Sequence, residues 1–294
     1  METLTKMRDV LSPANPKELL YISDLDGTLL TPDSNFSEDA VRRLNRLIDL
    51  GLKFTIATAR NHDSAHPLLR GLNLKLPVIL FNGVYLTDFH TGKNFLMSDF
   101  ITRKIMLEII GTVSTLGMDP FVYTFNEEHR AYYRKASNPG AKAYVDSLDN
   151  DTRLQQVQDF SFADTERISG FLLIETRETL GPVYQYLKGK YPGELNCYFA
   201  QDLSISGYYW LQCYHQEADK GKMVKKLSRH LDIPLSETVV FGDYLNDLAM
   251  FKIAGKAIAV ANALPEVKEA ANEVIGSNEN YAVIEYLESL GFGE

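Results

Sequence analysis

A short apolar strand that ends in two carboxylates is the feature that most constrains this chain. Residues 21–30 read YISDLDGTLL, with Asp24 and Asp26 two positions apart. Since side chains alternate along a strand, the two carboxylates project from one face and can act on one ligand. One acid can serve as ionised nucleophile and metal ligand while the other donates and accepts a proton. Asp before Gly is also common in simple turns, so this interpretation needs support from other segments.

Short apolar segments alternate with helical patterns at both ends of the chain, as in a parallel sheet covered by helices. The segments with strand character lack polar alternation, which is typical of strands buried on both faces. The predicted strands are residues 20–23, 53–58, 77–81, 238–241 and 257–260. The predicted helices are residues 37–50, capped by Ser37 and stopped by Gly51, then 63–71, 219–231, 246–254, 264–271 and 281–290. The pattern predicts an α/β fold with a Rossmann-like, three-layer parallel-sheet core.

The middle of the chain has a different pattern. Helices are predicted at residues 101–116 and 180–191, and strands at 121–124, 168–175, 194–199 and 208–214. Such a block of about a hundred residues is a common size for a domain. We therefore expect an α+β domain at residues 87–206, inserted into a core domain made of residues 1–86 and 207–294.

Composition and charge exclude several classes of protein. The 294 residues carry a formal net charge of -9, which argues against nucleic acid or an anionic membrane as the main partner. No apolar run approaches the ~18 residues that span a bilayer. Residues 1–20 lack the apolar region of a secretory signal and are expected to form an extra helix or an arm. The two cysteines, Cys197 and Cys213, are too few for a disulfide framework, which favours a reducing compartment such as the cytoplasm. We also expect a monomer or a small homo-oligomer.

A second acidic cluster follows the predicted strand at residues 238–241. It reads GDYLND and contains Asp243, Asn246 and Asp247. Ligands of open α/β sheets bind at the carboxyl ends of the strands, where this cluster and the first one both lie. Several acids at one edge repel one another unless a cation lies between them, and oxygen ligands of this kind suit Mg²⁺. A purely local role for Asp247 as a helix cap is the alternative.

Three further segments gain interest from the same edge of the sheet. Lys220 begins a predicted helix, where a cation is disfavoured by the helix dipole unless it has a purpose such as binding phosphate. Thr58, Ala59 and Arg60 follow the second strand, where a hydroxyl and backbone N–H groups can hold phosphate oxygens. Asn82 follows the third strand. Each segment alone has an ordinary explanation as a surface lysine, a helix cap or a turn.

Together these segments resemble the haloacid dehalogenase superfamily of phosphohydrolases, and most closely its Cof-like subfamily with a large α/β cap of type IIB. The DLDGTLL run at residues 24–30 is similar to the first motif of that family. Residues 58–60, 220–221 and 242–247 resemble the second, third and fourth motifs, and Asn262 and Asn278 fall in further similar segments. The chain departs from the family at Ala59, where Gly is usual, and at residues 279–281, where an acidic residue and Asp-Gly are usual.

The resemblance implies a mechanism and a set of site residues. Asp24 would attack phosphorus and form an aspartyl-phosphate, and Asp26 would protonate the leaving alcohol and then activate water. Mg²⁺ would be held by the Asp24 carboxylate, the Asp26 backbone carbonyl and Asp243. The phosphate oxygens would be held by Thr58, Ala59, Lys220 and Asn246. Asp247, Arg60 and Asn82 would lie around this inner set.

The expected function is hydrolysis of phosphomonoesters, with sugar phosphates or similar small phosphorylated metabolites as substrates. The inserted domain would act as a cap that selects the substrate. Two alternatives stay open at this point. A phosphomutase of the same superfamily would return the phosphoryl group to another hydroxyl, and a non-catalytic protein would only bind a phosphometabolite. Free phosphate release disfavours the first, and turnover of any ester disfavours the second.

Overall fold

The computed structural model describes residues 15–148, 151–202 and 205–292, which form two compact units. We call residues 15–96 and 220–292 the core unit, and residues 97–219 the inserted unit. The helix or arm predicted at the N-terminus falls largely on residues 1–14, outside the described residues. Within the described part of the chain, none of the helices combines the length and the apolar character that crossing a bilayer requires.

The elements of the inserted unit follow one another along the chain, and the elements of the core unit lie before and after them. The strands are β1 (Leu20–Ser23), β2 (Lys53–Ile56), β3 (Val78–Leu80), β4 (Tyr85–Thr87), β5 (Asn94–Met97), β6 (Phe121–Asn126), β7 (Glu128–Tyr133), β8 (Leu154–Gln156), β9 (Arg167–Thr176), β10 (Leu195–Gln201), β11 (Tyr208–His215), β12 (Thr238–Gly242), β13 (Lys256–Ala259) and β14 (Glu273–Val274). The helices are α1 (Glu38–Asp49), α2 (His62–Ala65), α3 (Arg103–Thr115), α4 (Pro139–Ser147), α5 (Arg177–Lys190), α6 (Lys220–His230), α7 (Leu248–Phe251), α8 (Pro265–Ala270) and α9 (Ala282–Glu288).

The core unit is built on a parallel sheet with strand order β14-β13-β12-β1-β2. A parallel bridge from Ala57 to Ile79 brings β3 beside β2. The connection from β1 through α1 steps toward β2, and that from β12 through α7 steps the opposite way. Right-handed crossovers in opposite directions place helices on both faces of the sheet. The predicted three-layer α/β core is confirmed.

Helix α1 shows how local sequence sets these elements. The Ser37 hydroxyl accepts a hydrogen bond from the Ala40 amide at 3.2 Å, which satisfies a free donor of the first turn. Leu44, Leu47 and Ile48 are buried on one face of the helix, as the spacing of the apolar residues predicts. Gly51 has φ = 104°, a conformation that ends a helix readily only at glycine. The helix predicted at residues 37–50 therefore forms at Glu38–Asp49.

Two predicted helices are shorter in the structure. The helix predicted at residues 63–71 is limited to α2, His62–Ala65, because Pro67 lacks an N–H and its ring blocks continuation of the helix. The helix predicted at residues 246–254 is divided into a tight turn at Leu245–Asp247 and the four-residue α7. In this turn Asp247 binds the backbone instead of extending the helix, since its carboxylate accepts the Asp243 and Tyr244 amides at 3.0 Å each.

The inserted unit is an α+β structure around a sheet with strand order β10-β11-β9-β6-β7-β8. The pairings are antiparallel except for β7 with β8. Side chains of β9 alternate between two apolar clusters: Phe171 and Leu173 belong to the larger one with α3 and α5. Leu172 and Ile174 belong to the smaller one with α4. The period of two explains why this strand is apolar throughout.

The units divide the chain later than the domain boundaries that we predicted after residues 86 and 206. Strands β4 and β5 continue from β3 in one three-stranded sheet, so the chain stays in the core unit to residue 96. Strand β11 pairs with both β9 and β10, so the inserted unit extends to residue 219. Five strands and one helix of the described residues were not predicted from the sequence, namely β4, β5, β7, β8, β14 and α4. Strand β7 carries Glu128 and Arg130 on its exposed positions, which hides its strand character.

Candidate active site

The carboxyl ends of β1, β2 and β12 bring the predicted motifs to one edge of the core sheet. After β1 the chain makes a wide helical turn at Leu25–Leu29, closed by a 2.9 Å hydrogen bond from the Leu30 amide to the Leu25 carbonyl. Gly27 lies in this turn with φ = 76°. A Cβ at this position would lie 2.3 Å from Oδ2 of Asp243, so only glycine lets the first and fourth motifs approach this closely.

Lys220 lies between two carboxylates. Its Nζ donates to Asp24 Oδ1 at 2.5 Å and to Asp247 Oδ1 at 2.7 Å, and all three side chains are buried. Burial alone would lower the pKa of Lys220, but the two carboxylates outweigh burial and raise it. Lys220 is therefore a buried ammonium group, held at the sheet edge by residues 196 and 27 positions away in sequence.

Three carboxylates lie close together at this edge of the core sheet. One oxygen from each of Asp24, Asp243 and Asp247 lies within 4.8 Å of the other two. Burial raises the pKa of Asp24 well above its usual value, Lys220 opposes that effect, and the neighbouring carboxylates add to it. Burial and the charge of Asp247 raise the pKa of Asp243 to about 7. A group of acids that repel one another in this way would be stabilised by a cation.

The three acids differ in how their oxygens are used. One oxygen of Asp247 accepts a hydrogen bond from Lys220, and the other accepts the backbone amides of Asp243 and Tyr244. Asp247 therefore organises the loop after β12. Asp243 accepts a 2.9 Å hydrogen bond from the Thr28 hydroxyl, which links the first and fourth motifs. Asp24 and Asp243 are thus the acids best placed to offer oxygens to a cation, and an all-oxygen donor set suits Mg²⁺.

Asp26 lies apart from this cluster. Its carboxylate accepts two hydrogen bonds from the Arg60 guanidinium, at 2.8 Å from Nε and 2.6 Å from Nη2. The Asp26 side chain is 43% exposed, against 8% for Asp24, so the two acids have different surroundings. This bidentate pair joins the first and second motifs, and sequence analysis did not predict it. The carboxylate of Asp26 is not part of the possible metal cluster.

The second motif and the third strand supply polar groups at the same edge. Thr58 is fully buried, and its hydroxyl accepts the Arg60 amide at 3.1 Å. The backbone carbonyl of Thr58 accepts a 3.0 Å hydrogen bond from the backbone N–H of Asn82. Asn82 has φ = 52°, and its side-chain oxygen accepts a 2.9 Å hydrogen bond from Asn246. Ala59 follows Thr58 in the turn after β2 and is partly exposed.

Two asparagines hold the turn of the first motif from outside. Asn262 donates to the Gly27 carbonyl and Asn278 to the Leu30 carbonyl, both at 2.7 Å. The backbone N–H of Asn278 in turn donates to the side-chain oxygen Oδ1 of Asn262 at 3.1 Å. Both residues lie in segments that resemble the family, and the structure gives each of them a role in holding this turn. The sequence around a single Asn does not indicate that its side chain will bind a backbone carbonyl more than two hundred residues away.

Comparison with known proteins adds independent information. The family model described as haloacid dehalogenase-like hydrolase matches residues 21–287. The chain is 28% identical over 284 residues to a pyridoxal phosphate phosphatase of Escherichia coli, covering 90% of this chain and 96% of that protein. It is 29% identical over 271 residues to an HMP-PP phosphatase of Serratia proteamaculans, covering 90% and 92%. The solved structure of a phosphatase from Bacteroides thetaiotaomicron superposes with a TM-score of 0.76 at 19% identity, covering 96% and 98%.

Proposed function

The chain belongs to the haloacid dehalogenase-like hydrolase family, and on this premise we propose that it is a Mg²⁺-dependent phosphomonoesterase with Asp24 as its nucleophile. The family resemblance seen in the motifs is thereby confirmed, and the protein is a phosphatase. The single observation that carries the proposed chemistry is the position of Asp24. Its buried carboxylate binds Lys220 and lies within 4.8 Å of carboxylate oxygens from Asp243 and Asp247.

Asp24 would attack the phosphorus atom and displace the alcohol, which gives an aspartyl-phosphate. Water would then attack this phosphorus and release phosphate, so one difficult displacement becomes two easier ones. Lys220 supports this role because its charge favours the ionised, nucleophilic form of Asp24 in a buried place. The fixed ammonium group can also stabilise charge that develops on the phosphoryl oxygens.

The donor set fits a divalent cation. Asp24 and Asp243 would hold it with their side chains, and the backbone carbonyl of Asp26 remains our proposed third ligand. When bound, Mg²⁺ would offset the repulsion between the Asp24 carboxylate and an incoming phosphate. Thr28 supports the arrangement by fixing Asp243 through its hydroxyl. Asp247 would position Lys220 and the loop instead of binding the cation itself.

Asp26 would protonate the leaving oxygen and afterwards take a proton from the attacking water. Its greater exposure and its position outside the group of three carboxylates suit a separate task. The ion pair with Arg60 has a consequence for this step. Arg60 fixes the orientation of both carboxylate oxygens, and the lone pair that each oxygen keeps free would take part in the proton transfer.

The non-bridging phosphate oxygens would be held by Thr58, Ala59, Lys220 and Asn246. The turn after β2 supports this proposal, because polar hydrogens at the ends of parallel strands are a common phosphate site. The hydrogen bond between Asn246 and Asn82 links the fourth motif to the third strand. Asn82 would therefore position Asn246 instead of touching the phosphate.

The substrate would be a small phosphorylated metabolite. Two relatives carry names for phosphatases of pyridoxal phosphate and HMP-PP, which supports this class and extends it beyond sugar phosphates. The inserted unit would select among such esters. We also propose a cytoplasmic location and a monomer or small homo-oligomer, with neither nucleic acid nor membrane as partner.

A phosphate-release screen tests the proposal. Purified protein with Mg²⁺ is incubated with a panel of sugar phosphates, pyridoxal phosphate and nucleotide monophosphates, and free phosphate is measured. Asp24→Asn serves as the blank for contaminating phosphatases. We expect release from at least one ester by the wild type and none by the variant. Equal release by both proteins would falsify the assignment of Asp24.

A further inference from the structure

The two cysteines of the chain face each other in the sheet of the inserted unit. In the antiparallel pairing of β10 with β11, Cys197 is directly opposite Cys213. Directly opposed residues project from the same face of the sheet, so their side chains meet. The two sulfur atoms are 2.7 Å apart, and both cysteines are free thiols.

This geometry leaves little to change before a covalent bond forms. A disulfide needs an S–S distance of about 2.05 Å and Cβ atoms on facing positions. The register already supplies the facing positions, and the sulfurs need to approach by less than 1 Å. Strand β11 is paired with both β9 and β10, and β10 pairs with β11 along Leu195–Gln201, so the sheet keeps the two cysteines opposite each other while the bond forms.

The two thiols differ in access. Cys213 is fully buried in the larger apolar cluster, beside residues such as Leu211 and Phe171. Cys197 packs against the same cluster but is partly exposed. Burial raises the pKa of the Cys213 thiol well above its usual value. A reagent from solvent would therefore meet Cys197 first.

We propose that Cys197 and Cys213 form an oxidation site, which a small-molecule disulfide closes into a cross-strand disulfide with Cys197 as the entry point. The Cys197 thiolate attacks one sulfur of the reagent, forms a mixed disulfide and expels one small thiolate. The Cys213 sulfur, as its proton leaves, then attacks the Cys197 sulfur and expels the second small thiolate. The protein loses two protons and two electrons, and the reagent gains them as it becomes two small thiols.

Oxidised glutathione is a suitable probe. The full chain is incubated with it or with dithiothreitol, denatured in acid, and treated with an alkylating reagent for free thiols. For the oxidised wild type we expect a mass lower by two hydrogens, no alkylation, and one linked peptide pair containing Cys197 and Cys213. Its thermal midpoint should rise relative to the reduced protein, because the bond restrains the unfolded chain.

Two variants give the order of events. In Cys213→Ala the reaction should stop at one glutathione on Cys197, and in Cys197→Ala no adduct should form. Thermal melting of each variant establishes that it is folded, and Cys213→Val replaces Cys213→Ala if the latter is not. Three results overturn the proposal: two alkylated thiols in oxidised wild type, a stable mixed disulfide without linkage, or a disulfide between two chains.

Discussion

The two units bury charge in different ways. In the core unit, Lys220 contacts Asp24 and Asp247, and all three side chains are out of water. In the inserted unit, Asp202 is the charged residue among the buried side chains that the structure describes. It accepts a 2.9 Å hydrogen bond from the indole of Trp210, a neutral donor. The described part of the inserted unit thus buries charge sparingly, whereas the core unit gathers three buried charged side chains at one sheet edge.

This contrast shows where the chain keeps groups that packing does not require. Buried ion pairs rarely stabilise a protein more than apolar residues of the same volume would, since desolvation offsets the attraction. A cluster of buried acids with raised pKa values, beside a buried lysine, is typical of a functional site. If the buried charges of the core unit serve chemistry, their substitution should lower activity whether or not it lowers the free energy of unfolding.

Asp24→Asn should have the largest effect. Phosphate release should fall by about 10⁴-fold or more, because an amide cannot act as the nucleophile. The thermal midpoint should stay the same or rise, since one of the repelling acids has lost its charge. Asp49→Asn, at an exposed pair with Lys75, is the control and should leave both unchanged. A variant that loses activity only because it unfolds would remove the contrast between the units.

Removal of the divalent cation should also abolish turnover. Excess chelator leaves the oxygens of Asp24 and Asp243 without a shared partner, and phosphate can no longer approach them without repulsion. Added Mg²⁺ in excess over the chelator should restore the rate. Steady phosphate release in the presence of chelator would contradict the proposed metal site.

Lys220→Met should reduce both activity and stability. Two buried carboxylates then lack their counter-charge, which costs about 3–5 kcal/mol in the free energy of unfolding. Urea denaturation measures this loss, and Lys75→Met, at an exposed ion pair, should change it by less than about 0.5 kcal/mol. The double variant Lys220→Met/Asp24→Asn should regain part of the stability and none of the activity. Independent, additive effects of the two substitutions would argue against direct coupling.

Asp26→Asn should depend on the substrate. Loss of a general acid slows the reaction by about 10²–10⁴-fold for an alkyl phosphate. An ester with a good leaving group, such as p-nitrophenyl phosphate, should lose much less in the step that forms the aspartyl-phosphate. Single-turnover rates with both esters measure the difference. Equal losses for the two would assign Asp26 to some role other than proton transfer.

Asn278→Ala should have the smallest effect. It removes the buried hydrogen bond to the Leu30 carbonyl and lowers the free energy of unfolding by about 1–3 kcal/mol. Activity should fall modestly, because the turn that carries Asp26 and Gly27 is held less firmly. Thermal melting and steady-state rates measure the two quantities separately. A loss of activity as large as that of Asp24→Asn would mean that Asn278 touches the reacting groups.

Strand ends were the part of the site that the sequence could predict. Asp24 and Asp243 follow apolar strands, and parallel strands end at one edge, so their meeting follows from local pattern and topology. The partners of these groups could not be predicted in the same way. The bidentate pair of Asp26 with Arg60 depends on side-chain reach between two strand ends, which local pattern does not encode. In the fold, β7 and α4 were missed because polar residues and a helix-starting Pro-Gly pair mask their periodicity.

The strand order also affects how the chain folds while it is being synthesised. Leu20 of β1 pairs with Thr238 of β12, so one edge of β1 lacks its partner until most of the polypeptide has been synthesised. At a translation rate of 5–20 residues per second, this interval is roughly 10–40 s. During that time an apolar strand with an open edge can pair with other nascent chains. We expect the ribosome-bound chain to depend on chaperones until its last quarter emerges.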